Sequence, residues 1–474
     1  MEHPSIAIIG AGIAGLTTAL TLQDAGFASM LYEASERLGG RIHSDTTTWD
    51  DALVTEWCGE MIDRSQEAIC SLIQRFGLQT TEPKQTHPLR ARNIAYFLGH
   101  YYSMQAQDFQ PVYDIVHKQA EEAGYPTTYQ HYTALGYELD HMSAYDWIER
   151  YVKDGHQSSL GSLLETACTG LLGMESREQS ALNLVYLLGL QEPGQIVSAT
   201  NASRSFRIAG GNHRLPEAIA QQLPTESINL NHRLLAIKRN SDNTVTLTFE
   251  TSNDSVEVKY DHVVLTLPFS TLRLVDYSQA GFDDLKQTAI TQLGYGTNSK
   301  LFLQFDTRYW REQGVWPHPN NSFITTDLDI RVLWDGTQGQ QSEKAVLVSF
   351  TGGSIGASFT PDTPYSTSNE SEKVREYAHR CLQQLEQVLP GISAHYTGKA
   401  ALSYPTGDPH ILGSYSCWRV GQYTLFGGYE GVRQGPIHFA GEHCSIEAQG
   451  YMEGGASEGI RVAREIVQEI HPGR

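Results

Sequence analysis

The pattern of apolar and polar positions at the start of the chain changes from strand-like to helical and back. Ser5 to Ile9 is an apolar run, and a helical pattern follows from Leu16 to Ala25. Gly26 ends that pattern, and a second short apolar run finishes at Glu33. Strand, helix and strand in this order predict a βαβ unit with parallel strands. The chain is therefore expected to begin as an α/β fold.

The rest of the chain divides into a helical stretch and later stretches rich in strands. From about Pro83 to Thr200 the composition predicts helices, and ten of the 24 tyrosines lie between Tyr96 and Tyr151. After Arg207 apolar runs predict the strands Leu234–Lys238, Val245–Phe249, Val263–Leu267, Ser299–Phe305, Ala345–Phe350 and a short strand from Ile437. Two further helices and one polar loop are predicted, over Ser371–Leu389, about Met452–Glu469 and Pro361–Ser371 respectively.

The composition narrows the classes of partner. The 474 residues are 40% hydrophobic and 19% charged, as in an ordinary globular protein, and their net charge is −20. A phosphate backbone or an anionic membrane is bound by clustered Lys and Arg, and this chain has no basic run. We therefore expect neither nucleic acid nor a membrane as a partner.

No segment predicts export or insertion into a bilayer. The first strand has no basic leader, and the apolar stretch around Leu182 to Leu190 is far shorter than the roughly 20 residues that span a membrane. The six cysteines form no C-x-x-C pair, which argues against zinc ribbons and dithiol redox motifs. The expected protein is soluble, cytoplasmic and without a bound metal.

A glycine motif lies between the first strand and the first helix. Gly10, Gly12 and Gly15 have the G-x-G-x-x-G spacing, and Glu33 follows at the distance of roughly 20 residues expected of an acid that binds a ribose. The first glycine allows the tight turn, the second lets a pyrophosphate approach the backbone, and the third lets helix and strand pack closely. The motif predicts a dinucleotide site and does not distinguish FAD from NAD; the alternative is a turn that binds nothing.

The next segment bears on which dinucleotide is bound. Arg37, Gly39, Gly40 and Arg41 would bring backbone amides and positive charge to the same phosphates. The alternative is an ordinary charged turn.

A second motif lies at the far end of the chain. Phe439 to His443 reads Phe-Ala-Gly-Glu-His, and Gly450 to Gly455 reads Gly-Tyr-Met-Glu-Gly-Gly. With the first motif, these segments resemble the flavin-containing amine oxidase family, which includes monoamine, polyamine and L-amino acid oxidases. The resemblance implies FAD held by Gly10, Gly12, Ala14, Gly15, Glu33, Gly40, Arg41, Gly59, Met61, Leu234, Glu442 and Met452.

The second motif also has a physical reason to lie beside a flavin. The free N–H groups at the start of a helix can stabilise negative charge on a reduced flavin. The resemblance implies that the Met452 backbone lies at that edge, that Glu442 binds the ribityl chain and that the Tyr451 ring stands in front of the flavin. The alternative for Tyr451 is an aromatic packed into the core.

Two weaker positions would complete the site. Lys300 opens a predicted strand where the family places a lysine that holds a water near flavin N5, although a lysine at a strand start is usually only solvated. Tyr415 lies where the family carries the second wall of an aromatic cage, opposite Tyr451. The resemblance thus implies Lys300, Tyr415 and Tyr451 as the catalytic residues.

The chain departs from the family at two positions. Ser414 stands where animal monoamine oxidases attach the flavin to a cysteine, so we expect non-covalent FAD, with Cys417 nearby as the alternative attachment point. Tyr404 and Pro405 stand near a position where the family often has a tryptophan.

A glycine-rich run from Thr351 to Gly356 is predicted to be a turn rather than a second nucleotide site, because no strand follows that could carry an acid.

The resemblance implies a reaction. Hydride would pass from the carbon beside an amine nitrogen to flavin N5, and O₂ would reoxidise the flavin to give hydrogen peroxide. The imine would then hydrolyse to a carbonyl compound and ammonia or a smaller amine. A flavin desaturase acting on carbon–carbon bonds and a non-catalytic FAD-binding module are the alternatives.

The sequence does not decide whether the substrate is an amine or an L-amino acid. Glu60 disfavours a substrate carboxylate and would suit a second ammonium, as in a polyamine, whereas Arg64, Arg90 or Arg92 could bind a carboxylate. The net charge of −20 could concentrate cationic substrates at the entrance.

We expect a Rossmann-like FAD-binding domain, α/β in class within an α+β whole, interleaved with a substrate domain of mixed sheet and helices. The FAD domain would comprise residues 1–82, 205–275 and 405–474, and the substrate domain residues 83–204 and 276–404. The sequence predicts no oligomeric state.

Overall fold

The computed structural model describes residues 4–82, 92–102, 106–190, 205–252 and 254–471. Within these ranges the chain forms three larger sheets and two short two-stranded ribbons. The ribbons pair Ser44–Asp45 with Thr55–Glu56 and Thr80–Thr81 with Arg207–Ile208. The fold is mixed α/β, as predicted.

The first sheet is parallel throughout and has five strands. Their order across the sheet is Ile437–Phe439, His262–Leu265, Ile6–Ile9, Met30–Tyr32 and Ile228–Asn229. Ile6 and Ile8 pack into one core with helices on that face, while Ala7 and Ile9 pack into a second core on the opposite face. Burial on both faces explains why the strand Ile6–Ile9 is apolar at every position.

The second sheet has four strands and packs against the first through the core that contains Ala7 and Ile9. Its order is Ser255–Tyr260, Val245–Glu250, Arg233–Arg239 and Asp276–Gln279. The last two strands are parallel and the other neighbours are antiparallel.

The third sheet has eight strands and packs against a long helix. Its order is Tyr365–Thr367, Tyr396–Ser403, Ser299–Phe305, Ala345–Thr351, Val332–Asp335, Asn320–Thr326, Arg92–Phe97 and His100–Tyr101. Leu301 and Leu303 face the helix Glu372–Val388, and Phe302 faces the opposite way, toward Trp57. Lys300, two residues before Phe302, therefore begins on the face toward Trp57.

The helices lie mainly between and outside these sheets. The α-helices are Ile13–Asp24, Glu67–Arg75, Ala106–Ala123, Ala134–Asp140, Ala144–Tyr151, Ser159–Thr166, Ala181–Gly189, Arg214–Ala220, Phe269–Leu272, Asp284–Gln292, Gly353–Ala357, Glu372–Val388, Gln422–Phe426 and Met452–Ile470. A π-helical turn, Ala167–Leu171, extends the helix Ser159–Thr166. Single 3₁₀ turns occur at Asp50–Ala52, Gly155–Gln157, Thr225–Ser227, Tyr309–Arg311, Ile392–His395, Pro405–Gly407 and Glu442–Cys444.

No helix in the described ranges has the length and apolar character needed to cross a bilayer.

Two predictions of local structure were wrong. The stretch predicted to be helical from Pro83 contains the strands Arg92–Phe97 and His100–Tyr101, which extend the eight-stranded sheet. The predicted polar loop contains the strand Tyr365–Thr367, which pairs antiparallel to Tyr396–Ser403 at the other edge of that sheet. In both cases pairing with a distant strand, rather than local composition, determines the conformation.

The first and last helices pack closely against each other. Thr17 Oγ1 donates to the Ala456 carbonyl at 3.2 Å, and Thr18 Oγ1 donates to the Gly459 carbonyl at 3.2 Å. A Cβ atom at Gly459 would lie 2.2 Å from Thr17 Oγ1 and 2.3 Å from the Ala14 carbonyl oxygen. Only glycine fits this contact without a backbone shift.

We expect Gly459→Ala to lower the free energy of unfolding by about 2 kcal/mol, because the added methyl overpacks the helix contact. Urea unfolding measures the change. Gln468→Ala, an exposed substitution on the same helix, is the control and should change stability by less than about 0.5 kcal/mol. Equal stability of the two variants would contradict the tight contact.

Candidate active site

A cavity of ≈ 730 Å³ lies where the five-stranded and eight-stranded sheets approach each other, and it collects nearly all the residues that the sequence singled out. The predicted residues in its lining are Gly10, Gly12, Ala14, Glu33, Gly40, Arg41, Gly59, Met61, Leu234, Lys300, Tyr415, Glu442, Tyr451 and Met452. Gly15 is outside the lining. Segments more than 400 residues apart thus meet at one site, as the Arg41–Glu442 contact shows directly, with a separation of 401 residues.

The glycine turn has the geometry that its spacing predicts. Gly10 has φ of +104°, and a Cβ at Gly15 would lie 1.9 Å from the Gly10 carbonyl oxygen, so the helix Ile13–Asp24 packs directly on the turn. Gly12 has no atom within 4 Å of its Cβ position and caps that helix without a side chain. The open side of Gly12 borders the cavity.

Glu33 is held at the end of its strand by the same turn. Its carboxylate accepts hydrogen bonds from the Ala11 amide at 2.8 Å and from the Ser35 amide at 2.9 Å and hydroxyl at 2.8 Å. These contacts fix the carboxylate at the edge of the cavity.

A second helix also begins at the cavity without a side-chain cap. Tyr451 is the N-cap residue of Met452–Ile470 and makes no capping hydrogen bond. Glu453, in the first turn, accepts instead from the amides of Ala68 and Ile69, both at 2.9 Å. Free N–H groups and the positive end of a helix dipole favour an anion.

These residues fit a flavin dinucleotide. Such a cofactor carries a pyrophosphate and, when reduced, a negative charge on its ring, and the cavity offers one uncapped helix N-terminus for each. Glu33 borders the cavity as an acceptor for ribose hydroxyls, and Gly40 and Arg41 line it beside the first helix.

Glu442 joins the two ends of the chain. Its carboxylate accepts from Arg41 Nη1 at 2.8 Å, the Ser416 hydroxyl at 2.6 Å, the Ser416 amide at 3.1 Å and the Gly450 amide at 2.8 Å. A carboxylate has about four acceptor positions, and protein donors take four. Glu442 thus positions Arg41 and the start of the last helix, a task beyond the ribityl contact that the resemblance implies.

Charge in this pair is stabilised on both partners. Burial disfavours the charged forms, but attraction between the two groups outweighs it, so the pKa of Glu442 is lowered and that of Arg41 is raised. Both groups are therefore ionised at neutral pH.

Lys300 is buried and fully engaged. Its ammonium donates to the Glu56 carbonyl at 3.0 Å, the Cys58 carbonyl at 2.7 Å and Glu60 Oε2 at 2.7 Å. An ammonium has three N–H donors, and all three are directed to the protein. Lys300 can hold a water only by exchanging one of these contacts.

Glu60 lies between two cations rather than free in the cavity. In addition to Lys300, it accepts from Arg207 Nη2 at 2.5 Å and from Trp334 Nε1 at 2.8 Å. Burial would raise the pKa of Glu60, but Lys300 and Arg207 outweigh it and lower the pKa to about 2. The interpretation of Glu60 as a free partner for a second ammonium was therefore wrong.

Sequence reasoning missed Arg207 and Trp334, which complete this cluster. They lie 147 and 274 residues from Glu60, and neither belongs to a motif. Arg64, considered for a carboxylate, is exposed and paired with Glu82. Arg90 lies outside the described residues, as does the side chain of Arg92.

The two predicted cage tyrosines lie at the same part of the cavity. The Tyr415 hydroxyl donates to the Leu171 carbonyl, and a Cβ at Gly450 would lie 3.4 Å from the Tyr415 ring. Burial, followed by the nearby Tyr451 phenol, raises the pKa of Tyr415. Tyr451 lines the cavity, and 56% of its surface is accessible from the cavity space. Protein atoms nevertheless surround its hydroxyl, and this burial raises the pKa of Tyr451.

An apolar wall lies beside these tyrosines. It consists of Leu171, Leu172, Phe323, Val332, Trp334 and Phe350. The Trp334 ring lies 6.2 Å from Phe323 and 5.4 Å from Phe350. Among the described residues of the cavity lining, the charged groups that contact Trp334 are Lys300 and Glu60, which form an ion pair; Arg207, outside the lining, also pairs with Glu60.

The thiols at the cavity are in their unreactive form. Burial raises the pKa of Cys417 to about 12 and also raises that of Cys58. Ser414 stands where the resemblance places the flavin-attaching cysteine of animal monoamine oxidases. Its hydroxyl donates to Asn298 Oδ1 at 2.7 Å.

Comparison with known proteins gives the family to which this fold and cavity belong. The family described as flavin containing amine oxidoreductase matches residues 13–467. The chain therefore belongs to this family and is a flavin-dependent amine oxidase.

Relatives within the family differ in the substrates that their names state. The L-amino-acid oxidase of Pseudechis australis is 24% identical over 482 residues, covering 97% of this chain and 86% of that protein. Cyclohexylamine oxidase from Brevibacterium oxydans IH-35A has a similar structure, with a TM-score of 0.82 and 20% identity over 99% of this chain and 100% of that one. Putrescine oxidase bound to putrescine has a TM-score of 0.79 and 20% identity, over 98% of this chain and 99% of that one. The two structures establish the shared fold.

We expect Glu442→Gln to lower the free energy of unfolding by about 3 kcal/mol, because the amide N–H₂ would face a donor and leave Arg41 without its partner. Flavin content per chain, measured by absorbance, should fall with it. Asp24→Asn, which breaks the exposed pair with Arg75, is the control and should cost less than about 1 kcal/mol. Full flavin content in Glu442→Gln would contradict the positioning role.

The buried carboxyl of Glu56 predicts a pH effect. Burial raises its pKa from 4.5 to about 8, so between these values the folded protein keeps a proton that the unfolded chain releases. Stability should therefore fall as pH rises from about 4.5 to 8.

Glu56→Gln mimics the protonated side chain and should reduce that fall in the free energy of unfolding, measured by urea unfolding at pH 5 to 8. Part of the fall in stability with pH should remain in this variant, because burial also raises the pKa of Glu430 to about 8. Glu447→Gln, at an exposed glutamate, is the control. An unchanged slope in Glu56→Gln would mean that Glu56 is ionised in the folded protein.

Proposed function

We propose that the chain binds FAD non-covalently in this cavity and oxidises a primary amine that carries an apolar substituent. The products are an imine, which hydrolyses to a carbonyl compound and ammonia, and hydrogen peroxide from O₂. The observation that carries the proposal is the apolar wall beside Tyr415, where the nearest charged side chains, Lys300 and Glu60, are paired with each other.

The proposed binding residues follow the order of the cofactor. The turn Gly10 to Gly15 with Ala14 holds the pyrophosphate at the first helix, Glu33 accepts from the ribose, and Leu234 packs near it. Gly40, Arg41, Gly59, Met61, Glu442 and Met452 are proposed to hold the remainder. We propose that residues 1–82, 205–275 and 405–474 form the FAD-binding domain and that residues 83–204 and 276–404 form the substrate domain. When bound, the flavin supplies the hydride acceptor.

Non-covalent binding is supported by the chemistry of the nearby side chains. A thioether bond requires a nucleophilic thiolate, and Cys417 has a pKa of about 12. Ser414 is a hydroxyl already engaged with Asn298. A denaturant should therefore release the flavin from the chain.

The residues around the reacting carbon orient the amine rather than exchange protons with it. The ring faces of Tyr415 and Tyr451 attract an approaching ammonium by cation–π interaction and direct the neutral amine that forms. Lys300 holds Glu60 and the segment from Glu56 to Glu60 in place, and the water-holding role implied by the family needs one of its three contacts to open.

The charges around the apolar wall support one class of substrate. A carboxylate would need an unpaired cation and a second ammonium would need an unpaired anion. The apolar wall offers neither, so it favours a substrate like that in the name of cyclohexylamine oxidase over those of L-amino-acid oxidase and putrescine oxidase. L-Amino acid oxidation is the second candidate, favoured by the relative from Pseudechis australis. Carbon–carbon desaturation and a non-catalytic role are the functions that remain if no amine or amino acid reduces the flavin.

Anaerobic mixing with a substrate panel tests the proposal. Cyclohexylamine and benzylamine should bleach the flavin band at least about 10-fold faster than putrescine or L-leucine at equal concentration, since burying an unpaired charge costs more than 1.4 kcal/mol. Faster bleaching by L-leucine would establish the second candidate. Bleaching by dithionite but by no amine or amino acid would overturn both.

Tyr451→Ala and Tyr132→Ala are the matched variants. Loss of the Tyr451 ring should lower kcat/KM by about 10-fold, while the exposed Tyr132 should have no effect. Equal effects would show that the Tyr451 ring does not orient the amine.

A further inference from the structure

Two histidines on neighbouring strands of the five-stranded sheet approach each other away from the cavity. His262 begins the strand His262–Leu265, and His438 lies in Ile437–Phe439, opposite Val264. Because side chains alternate along a strand, His262 and Val264 share a face, and His438 faces the same way. His262 Nδ1 and His438 Nε2 are 3.4 Å apart.

The last turns of the helix Met452–Ile470 bring carboxylates to the same place. A carboxylate oxygen of Glu469 and the two imidazole nitrogens all lie within 4.8 Å of one another. Glu465, one turn earlier, has Oε2 3.9 Å from His438 Nδ1. Residues four apart lie on one face of a helix, so both glutamates are directed to the histidines.

The spacing of these atoms matches a tetrahedral ion. Bonds of 2.0–2.1 Å to zinc place ligand atoms about 3.3–3.4 Å apart, which is the separation of His262 Nδ1 and His438 Nε2. As a hydrogen bond the same distance is long. His438 is fully buried, and its Nδ1 has no hydrogen-bond partner, which is uncommon for a buried polar atom.

Two arginines pair with the glutamates beside the histidines. Arg433 pairs with one oxygen of Glu469 and Arg461 pairs with Glu465. A carboxylate oxygen of Glu469 lies within 4.8 Å of both imidazole nitrogens, as a ligand would. Glu465 lies 3.9 Å from His438 Nδ1, on the side where a carboxylate commonly supports a ligand histidine.

We propose that His262, His438 and Glu469 bind one divalent ion of the zinc class, with Glu465 orienting His438. The three ligands come from separate segments and have no motif spacing, which explains why the sequence predicts no metal. The site is structural: Glu469 lies about 25 Å along the helix from Met452, at the end away from the cavity. The ion ties this end of the helix to the sheet.

Metal binding by the flavin-loaded protein tests the proposal. After EDTA is removed by dialysis, Zn²⁺ should bind at one equivalent per chain at about 10 µM and raise the unfolding temperature. His262→Gln and Glu469→Gln should each weaken binding by about 100-fold and abolish the temperature shift. His379→Gln, at an exposed histidine on the helix Glu372–Val388, is the control and should bind as the parent chain does.

Two results would overturn the proposal. One is the absence of stoichiometric Zn²⁺ binding to the parent chain at about 10 µM. The other is equal binding by His262→Gln, Glu469→Gln and the parent chain, which would assign the metal to other histidines. Amine oxidation is not the readout, so failure here leaves the proposed function untouched, and failure of the amine panel leaves this site untouched.

Discussion

The site depends first on one buried carboxylate. Glu442 accepts four hydrogen bonds, from Arg41, from the hydroxyl and amide of Ser416, and from the Gly450 amide. The donors come from three segments, so one side chain fixes the relative position of the segment after the second strand, the cage tyrosine segment and the last helix. A buried carboxylate with fewer donors would destabilise the folded protein, so the loss of one donor weakens the whole arrangement.

The second organising cluster keeps the charged groups beside the apolar wall engaged in ion pairs. Lys300, Glu60 and Arg207 carry charges that are directed at one another and at Trp334. An amine oxidase can thus have a lysine and a glutamate in its lining and still present an apolar surface. Residue type alone would have suggested a polar pocket. Only the pairing of the charges distinguishes a polar pocket from an apolar one.

How much could be predicted depended on the range of the interactions. Ser299–Phe305 was predicted with the bounds that it has, because its central residues Leu301, Phe302 and Leu303 are apolar in succession, as in a strand buried on both faces. Arg92–Phe97 was missed because its partner strand, Asn320–Thr326, lies more than 200 residues later. In the site, local motifs identified the glycine turn and the start of the last helix, whereas the partners of Glu60 carry no local signal. Residues in local motifs were therefore easier to place at the cavity than residues paired across long stretches of chain.

The contact between the first and last helices also constrains how the protein is made. Thr17 and Ala456 touch across 439 residues of chain. At 5–20 residues per second, a ribosome needs roughly 20–90 s to produce the second partner after the first has emerged. During that time the face of the first helix that packs against the last helix has no permanent cover.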